Sequence, residues 1–145
     1  MEKTEGYANY DREIVKSFIH PNKHERYFSL LGDPKKRRKL LQRLGHQRDL
    51  DESSMMPLPK SVQTRKDLVA FLKKNGAVSE CYILSDQIDL DGKLLPIESA
   101  IDHIFGMGFG SIVYCPPQGI GYFEGEGKSE RYLLINPRLA FRPRE

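Results

Sequence analysis

The sequence predicts an α+β fold: an antiparallel sheet of four or five strands with helices on one face, preceded by an N-terminal helical arm. Three observations predict it. Apolar residues recur at helical spacing through the first 44 positions. Short apolar runs bounded by glycine and proline fill the last third. The loops between those runs, Pro116-Pro-Gln-Gly119 and Gly125–Ser129, are too short for anything but antiparallel neighbours. At 145 residues, 39% of them hydrophobic and 30% charged, the chain is long and apolar enough for one globular core.

The elements follow in order. Ile14, Val15 and Phe18 mark a helix over Tyr10–Ile19, stopped at His20-Pro21 because a residue before proline is pushed out of the helical region. Asn22 can cap a second helix carrying Tyr27, Phe28, Leu30 and Leu31 as far as Gly32. Asp33-Pro34 then places an N-cap before proline at the first helical position, and a third helix runs to Leu44. Its apolar stripe is only Leu40, Leu41 and Leu44. The stretch 47–61 has no period and two prolines, and reads as a linker or long loop. Thr64–Lys74 is helical, with Leu68, Phe71 and Leu72 on one side. Glu80–Ser85 reads as a buried strand and Asp91-Gly92 as a turn. Pro96 opens a helix with Ile97, Ile101, Ile104 and Phe105 on a stripe that Gly106 ends. Ser111–Cys115, Ile120–Glu124 and Arg131–Ile135 form a meander of strands. The division is thus a helical arm over 1–46, the linker, an α+β core over 62–136 and a tail over 137–145, together one structural unit.

Charge is unevenly spread. The chain carries 23 Lys and Arg against 20 Asp and Glu. Within Pro34–Arg48, Lys35, Lys36, Arg37, Arg38, Lys39, Arg43 and Arg48 meet no acid at all. Such a run attracts anions over roughly a Debye length, about 10 Å in moderate salt. These seven residues are the candidate anion-binding set, and the expected partner is nucleic acid or an acidic protein. Acidic residues Asp49, Asp51 and Glu52 follow directly and can neutralise part of the run.

Other constellations are weaker. Asp89, Asp91 and Glu98 fall at three positions of a calcium loop, but Gln87 stands at the first ligand position and Leu95 at the ninth. His20 and His24 have helical ligand spacing that Pro21 interrupts. His24 with Arg26 and Tyr27 is the candidate set for a small hydrolase or metal-independent nuclease, the histidine moving a proton and the arginine meeting developing charge. Cys115, at a strand end beside a rigid loop, is a candidate nucleophile without a visible base, whereas Cys81 reads as a buried thiol. Gly106-Met-Gly-Phe-Gly110 has the wrong order for a phosphate loop, since a helix precedes it and a strand follows. The acids Glu124, Glu126 and Glu130 read as flanking a solvated hairpin.

No cofactor is expected. Two cysteines make no disulfide framework, the N-terminus lacks an apolar signal core and no run approaches a membrane span, so a cytoplasmic protein without membrane contact is the expectation. The leading functional expectation is a small binding or regulatory domain acting through the basic helix, rather than an enzyme. The hydrolase is its alternative, and a protein-interaction domain without chemistry is a third.

Overall fold

The computed structural model describes residues 3–44, 46, 49–77, 80–116, 119–127 and 130–136, with burial described from Asn9 onward. Among them are five α-helices and one six-stranded antiparallel sheet. Helices α1 (Lys3–Phe18), α2 (His24–Leu31) and α3 (Pro34–Leu44) come first. Strand β1 (Met55–Pro57) and helix α4 (Arg65–Lys74) follow. Then come β2 (Glu80–Ser85), β3 (Leu94–Pro96) and α5 (Ile97–Ile104). Strands β4 (Ser111–Cys115), β5 (Ile120–Glu124) and β6 (Arg131–Ile135) complete the sheet, in spatial order β1-β6-β5-β4-β2-β3.

Two expectations need correction. The sheet has six strands rather than four or five, because β1 and β3 add an edge at each side. Each is three residues long and ends in proline, which lacks the N–H that an interior strand must donate. β1 lies inside the stretch read as linker, where a 3-10 turn over Glu52–Ser54 leads directly into it. The second correction concerns layering: the helices cover both faces, not one. Tyr82, Leu84, Ile112, Tyr114, Phe123 and Leu134 pack beneath Ile14, Phe18, Tyr27 and Leu41 of the N-terminal helices. The alternate residues Cys81, Ile83, Val113, Tyr122 and Leu133 pack beneath Leu68 and Leu72 of α4 and Ile97, Ile101 and Ile104 of α5. The cause is legible in β4 and β5, where every residue is buried, so neither face can be left to water. Each fully buried leucine or isoleucine contributes about 1.5–3 kcal/mol, and this explains why a mostly cationic α3 docks through Leu40, Leu41 and Leu44.

Helix ends follow the expected chemistry. Thr64 and Asp67 form a reciprocal capping box at α4. Asp33 Oδ1 accepts from the Lys35 and Lys36 amides at 3.0 and 3.2 Å at the start of α3. Gly121 in β5 is required by space: a Cβ there would sit 2.7 Å from the Val113 carbonyl oxygen. Arg48 and the tail 137–145 lie outside the described residues. Among the described residues no helix is long and apolar enough to cross a membrane.

Candidate functional site

The basic run divides into two populations. Arg37 and Arg38 are half-buried and Arg43, though exposed, is paired with a buried carboxylate, whereas Lys35, Lys36 and Lys39 are exposed. Arg37 is central to the first group. Its Nε and Nη2 donate to Asp91 Oδ2 and Oδ1 at 2.7 and 3.0 Å, a two-pronged grip on one carboxylate. Its Nη1 donates to Asp11 Oδ2 at 2.6 Å and to the Leu31 carbonyl at 3.2 Å. Tyr82 donates its hydroxyl to Asp11 Oδ1 at 2.6 Å. Burial opposes the guanidinium charge, but the bonds to Asp91 and Asp11 reverse that and hold the group above its ordinary value. Burial, reinforced by the adjacent Asp11 charge, pushes Tyr82 up. Arg38 Nη1 donates to the Asp86 carbonyl at 2.6 Å, which fastens α3 to the turn after β2.

Arg43 belongs to a second network. Asp49, 2% exposed, accepts from the Tyr27 hydroxyl at 2.7 Å and from Arg43 Nε at 3.1 Å, and Lys23 Nζ lies 3.2 Å away. Burial alone would raise the Asp49 carboxyl, but the hydrogen bonds from Tyr27, Lys23 and Arg43 together hold it below its ordinary 3.8. A carboxyl depressed in the folded state stabilises above its unfolded value, and that contribution is lost as pH falls through the folded value. Asp49→Asn should therefore lower stability by about 1–3 kcal/mol at neutral pH, while urea midpoints of variant and parent converge in acid. A constant gap across the acid range would contradict this role.

Between α1, α2, α3 and the turn after β2 lies an open cleft of about 1140 Å³. Arg12, Lys35, Arg37, Arg38 and Lys39 line it, with Asp11 and Asp91 the only carboxylates among the described residues that do so. Its apolar surface comes from Phe28, Leu31, Pro34 and Ile88. Ile88 is 73% exposed, unusual for so apolar a side chain. The Phe28 ring is half-buried, with the Arg12 guanidinium over it 4.4 Å from its centroid and the tilted His24 ring 6.0 Å away. With Asp11 and Asp91 engaged by Arg37, the surplus charge facing the cleft is positive. Arg12, Gln42 and Ile88 were not singled out in the sequence. One signal did exist: Asp11 stands three, four and seven residues before Ile14, Val15 and Phe18, so an acid occupies the apolar stripe of α1.

The other candidate residues are scattered. His20 Nδ1 accepts from the Asn22 amide at 3.3 Å, and His24 Nε2 donates to the Ile19 carbonyl at 2.7 Å. Tyr27 is buried on Asp49, and Arg26 is exposed. Cys115 lies in the core on the opposite face of the sheet, fully buried against Cys81, and that thiol together with burial pushes it well up. None of these residues lines the cleft. The calcium-loop residues are also parted: Asp91 is held by Arg37, Asp89 is exposed, and Glu98 pairs with Lys73 at 2.7 Å. Among the described residues, no three His, Cys, Asp or Glu side chains group to hold a metal.

The late acids correct one further expectation. Glu124 is 1% exposed rather than solvated. It accepts from the Gly106 and Gly108 amides at 2.9 and 2.8 Å and from the Tyr122 hydroxyl at 2.6 Å. Both glycines have positive φ, near 80°, which aims their N–H groups at this carboxylate. The glycine-rich segment thus cradles an anion, and the anion is the chain's own Glu124.

Compared with protein-family profiles, with curated proteins and with solved structures, the chain matches none.

Proposed function

We propose that this chain is a small binding module that takes an acidic, partly apolar segment of a partner protein in the cleft between its N-terminal helices and the turn after β2. The observation that carries the reading is the pairing of an apolar floor with cations: Phe28, Leu31, Pro34 and Ile88 lie among Arg12, Lys35, Arg38 and Lys39. Carboxylates of such a segment would meet the lysines at the rim, and its apolar side chains would cover Ile88. Single-stranded nucleic acid is disfavoured on one specific ground. A single-strand site needs an open aromatic face for base stacking, and the Phe28 ring is flanked by Arg12 and His24.

A fluorescein-labelled peptide of alternating glutamate and leucine tests this by anisotropy. Binding should weaken as salt rises, and a matching lysine–leucine peptide should not bind. Lys35→Glu with Lys39→Glu, both at exposed positions, should weaken binding about tenfold or more while circular dichroism stays unchanged. Tighter binding of a labelled single-stranded oligonucleotide than of the acidic peptide would replace this reading with nucleic-acid recognition. Absence of binding by either at low salt would remove it.

A further inference from the structure

We infer that Cys81 and Cys115 form a modification site: in the folded chain the two thiols join as a disulfide when a hydroperoxide reaches them. The inference is independent of the cleft, since both cysteines belong to the core on the opposite face of the sheet. The ladder places them. Tyr82 pairs with Tyr114 in the β2–β4 register, so Cys81 stands opposite Cys115 one step further. The Asp86 amide donates to the Gly110 carbonyl at 3.0 Å, which makes that opposed pair a hydrogen-bonded one. Counting back along an alternating ladder, Ser85 and Ser111, Ile83 and Val113, and Cys81 and Cys115 are the non-hydrogen-bonded pairs.

The other edge of β2 agrees. The Ile83 amide donates to the Lys93 carbonyl and its carbonyl accepts from the Gly92 amide, so Ile83, and Cys81 with the same parity, point their backbone groups away from β4. Opposed Cα atoms at such positions are about 4.5 Å apart, inside the roughly 4.4–6.8 Å that a disulfide spans. Side chains at these sites do meet across the ladder: the Ser85 and Ser111 oxygens are 2.9 Å apart, and the Cys81 and Cys115 sulfurs 3.1 Å. Closing the bond requires an approach of roughly 1 Å.

The reaction balances. Once opening of the strand end lets water reach the pair, one cysteine sulfur gives up its proton and, as thiolate, attacks the peroxide; an S–O bond forms, the O–O bond breaks, and the released oxygen takes up a proton and leaves as water or alcohol. The second sulfur then attacks the sulfenic acid; the S–S bond forms and the S–O bond breaks with loss of water. Two thiols are oxidised and one hydroperoxide is reduced. Both thiols are fully buried and free, so the reaction proceeds through fraying at this end of the ladder. There Cys81 is flanked by the three-residue edge strand β3 and Cys115 is the last residue of β4.

The experiment treats the full folded chain with hydrogen peroxide, alkylates remaining thiols in denaturant and maps the digest without reduction by mass spectrometry. The expected product is a Cys81–Cys115 linked peptide lighter by two hydrogen atoms, with both alkylation sites lost together. The urea midpoint should rise and return on adding dithiothreitol, while the same treatment of Cys81→Ala should give no reversible rise. Thiols that stay alkylatable, that end as separate sulfinic acids, or that link only between chains would overturn the inference.

Discussion

Replacing Arg37 by alanine is expected to destabilise the chain by about 3–5 kcal/mol, the range for breaking a buried pair and leaving its partner charged. Arg37 is 13% exposed at its side chain, and Asp11 and Asp91 are each 8% exposed. Its removal takes the main counter-charge from both carboxylates, leaving Asp11 the Tyr82 hydroxyl and Asp91 the Ser85 amide with Arg38 3.9 Å away, and deletes the link between α1, α3 and the turn after β2. Arg37→Lys should restore only part of the loss, because an ammonium cannot grip Asp91 with two prongs and reach Asp11 as well. Urea unfolding of the three proteins measures this directly. A loss under about 1 kcal/mol for Arg37→Ala would mean that the cluster is solvated like an ordinary surface pair.

Glu124→Ala is expected to have an effect of similar size, about 3–5 kcal/mol. The substitution leaves the Gly106 and Gly108 amides and the Tyr122 hydroxyl without their acceptor. It also removes the negative charge 3.5 Å from Arg131 Nε, whose guanidinium lies over the Phe105 ring. The Gly106–Gly108 turn connects α5 to β4, so its loosening should be visible before global unfolding. Hydrogen exchange at those two amides should quicken in Glu124→Ala, with exchange in β4 and β5 less affected. Unchanged protection at Gly106 and Gly108 would contradict the cradle. Glu124→Gln keeps one acceptor oxygen and should fall between alanine and the parent.

These two sites also indicate how far the sequence could be read. The four longer strands and the five helices of the described residues follow from local signals: apolar runs, apolar residues at helical spacing, and glycines or prolines at the ends. β1 and β3 escaped because three residues ending in proline carry no alternation to detect. The second covering layer was missed for a different reason. Continuous burial in β4 and β5 demands cover on both faces, but a single sequence does not state on which face a helix lands. The candidate site was legible only as a list of charges. Seven cations within fifteen residues give no hint that Arg37 reaches Asp91, 54 positions further on, while Lys35 stays in water. That partition depends on long-range packing. The same holds for Glu124, which reads as one acid among three flanking a hairpin until the turn over Gly106 closes on it.

Binding at the cleft is tested most directly by titrating the isotopically labelled chain with the glutamate–leucine peptide and following backbone amide resonances. Arg12, Phe28, Gly32, Lys35, Lys39 and Ile88 line the cleft, and their signals should shift together and saturate, while those of α4 and α5 on the far face stay fixed. Shifts centred on α4 and α5, or none at saturating peptide, would contradict the assignment of this cleft as the binding surface.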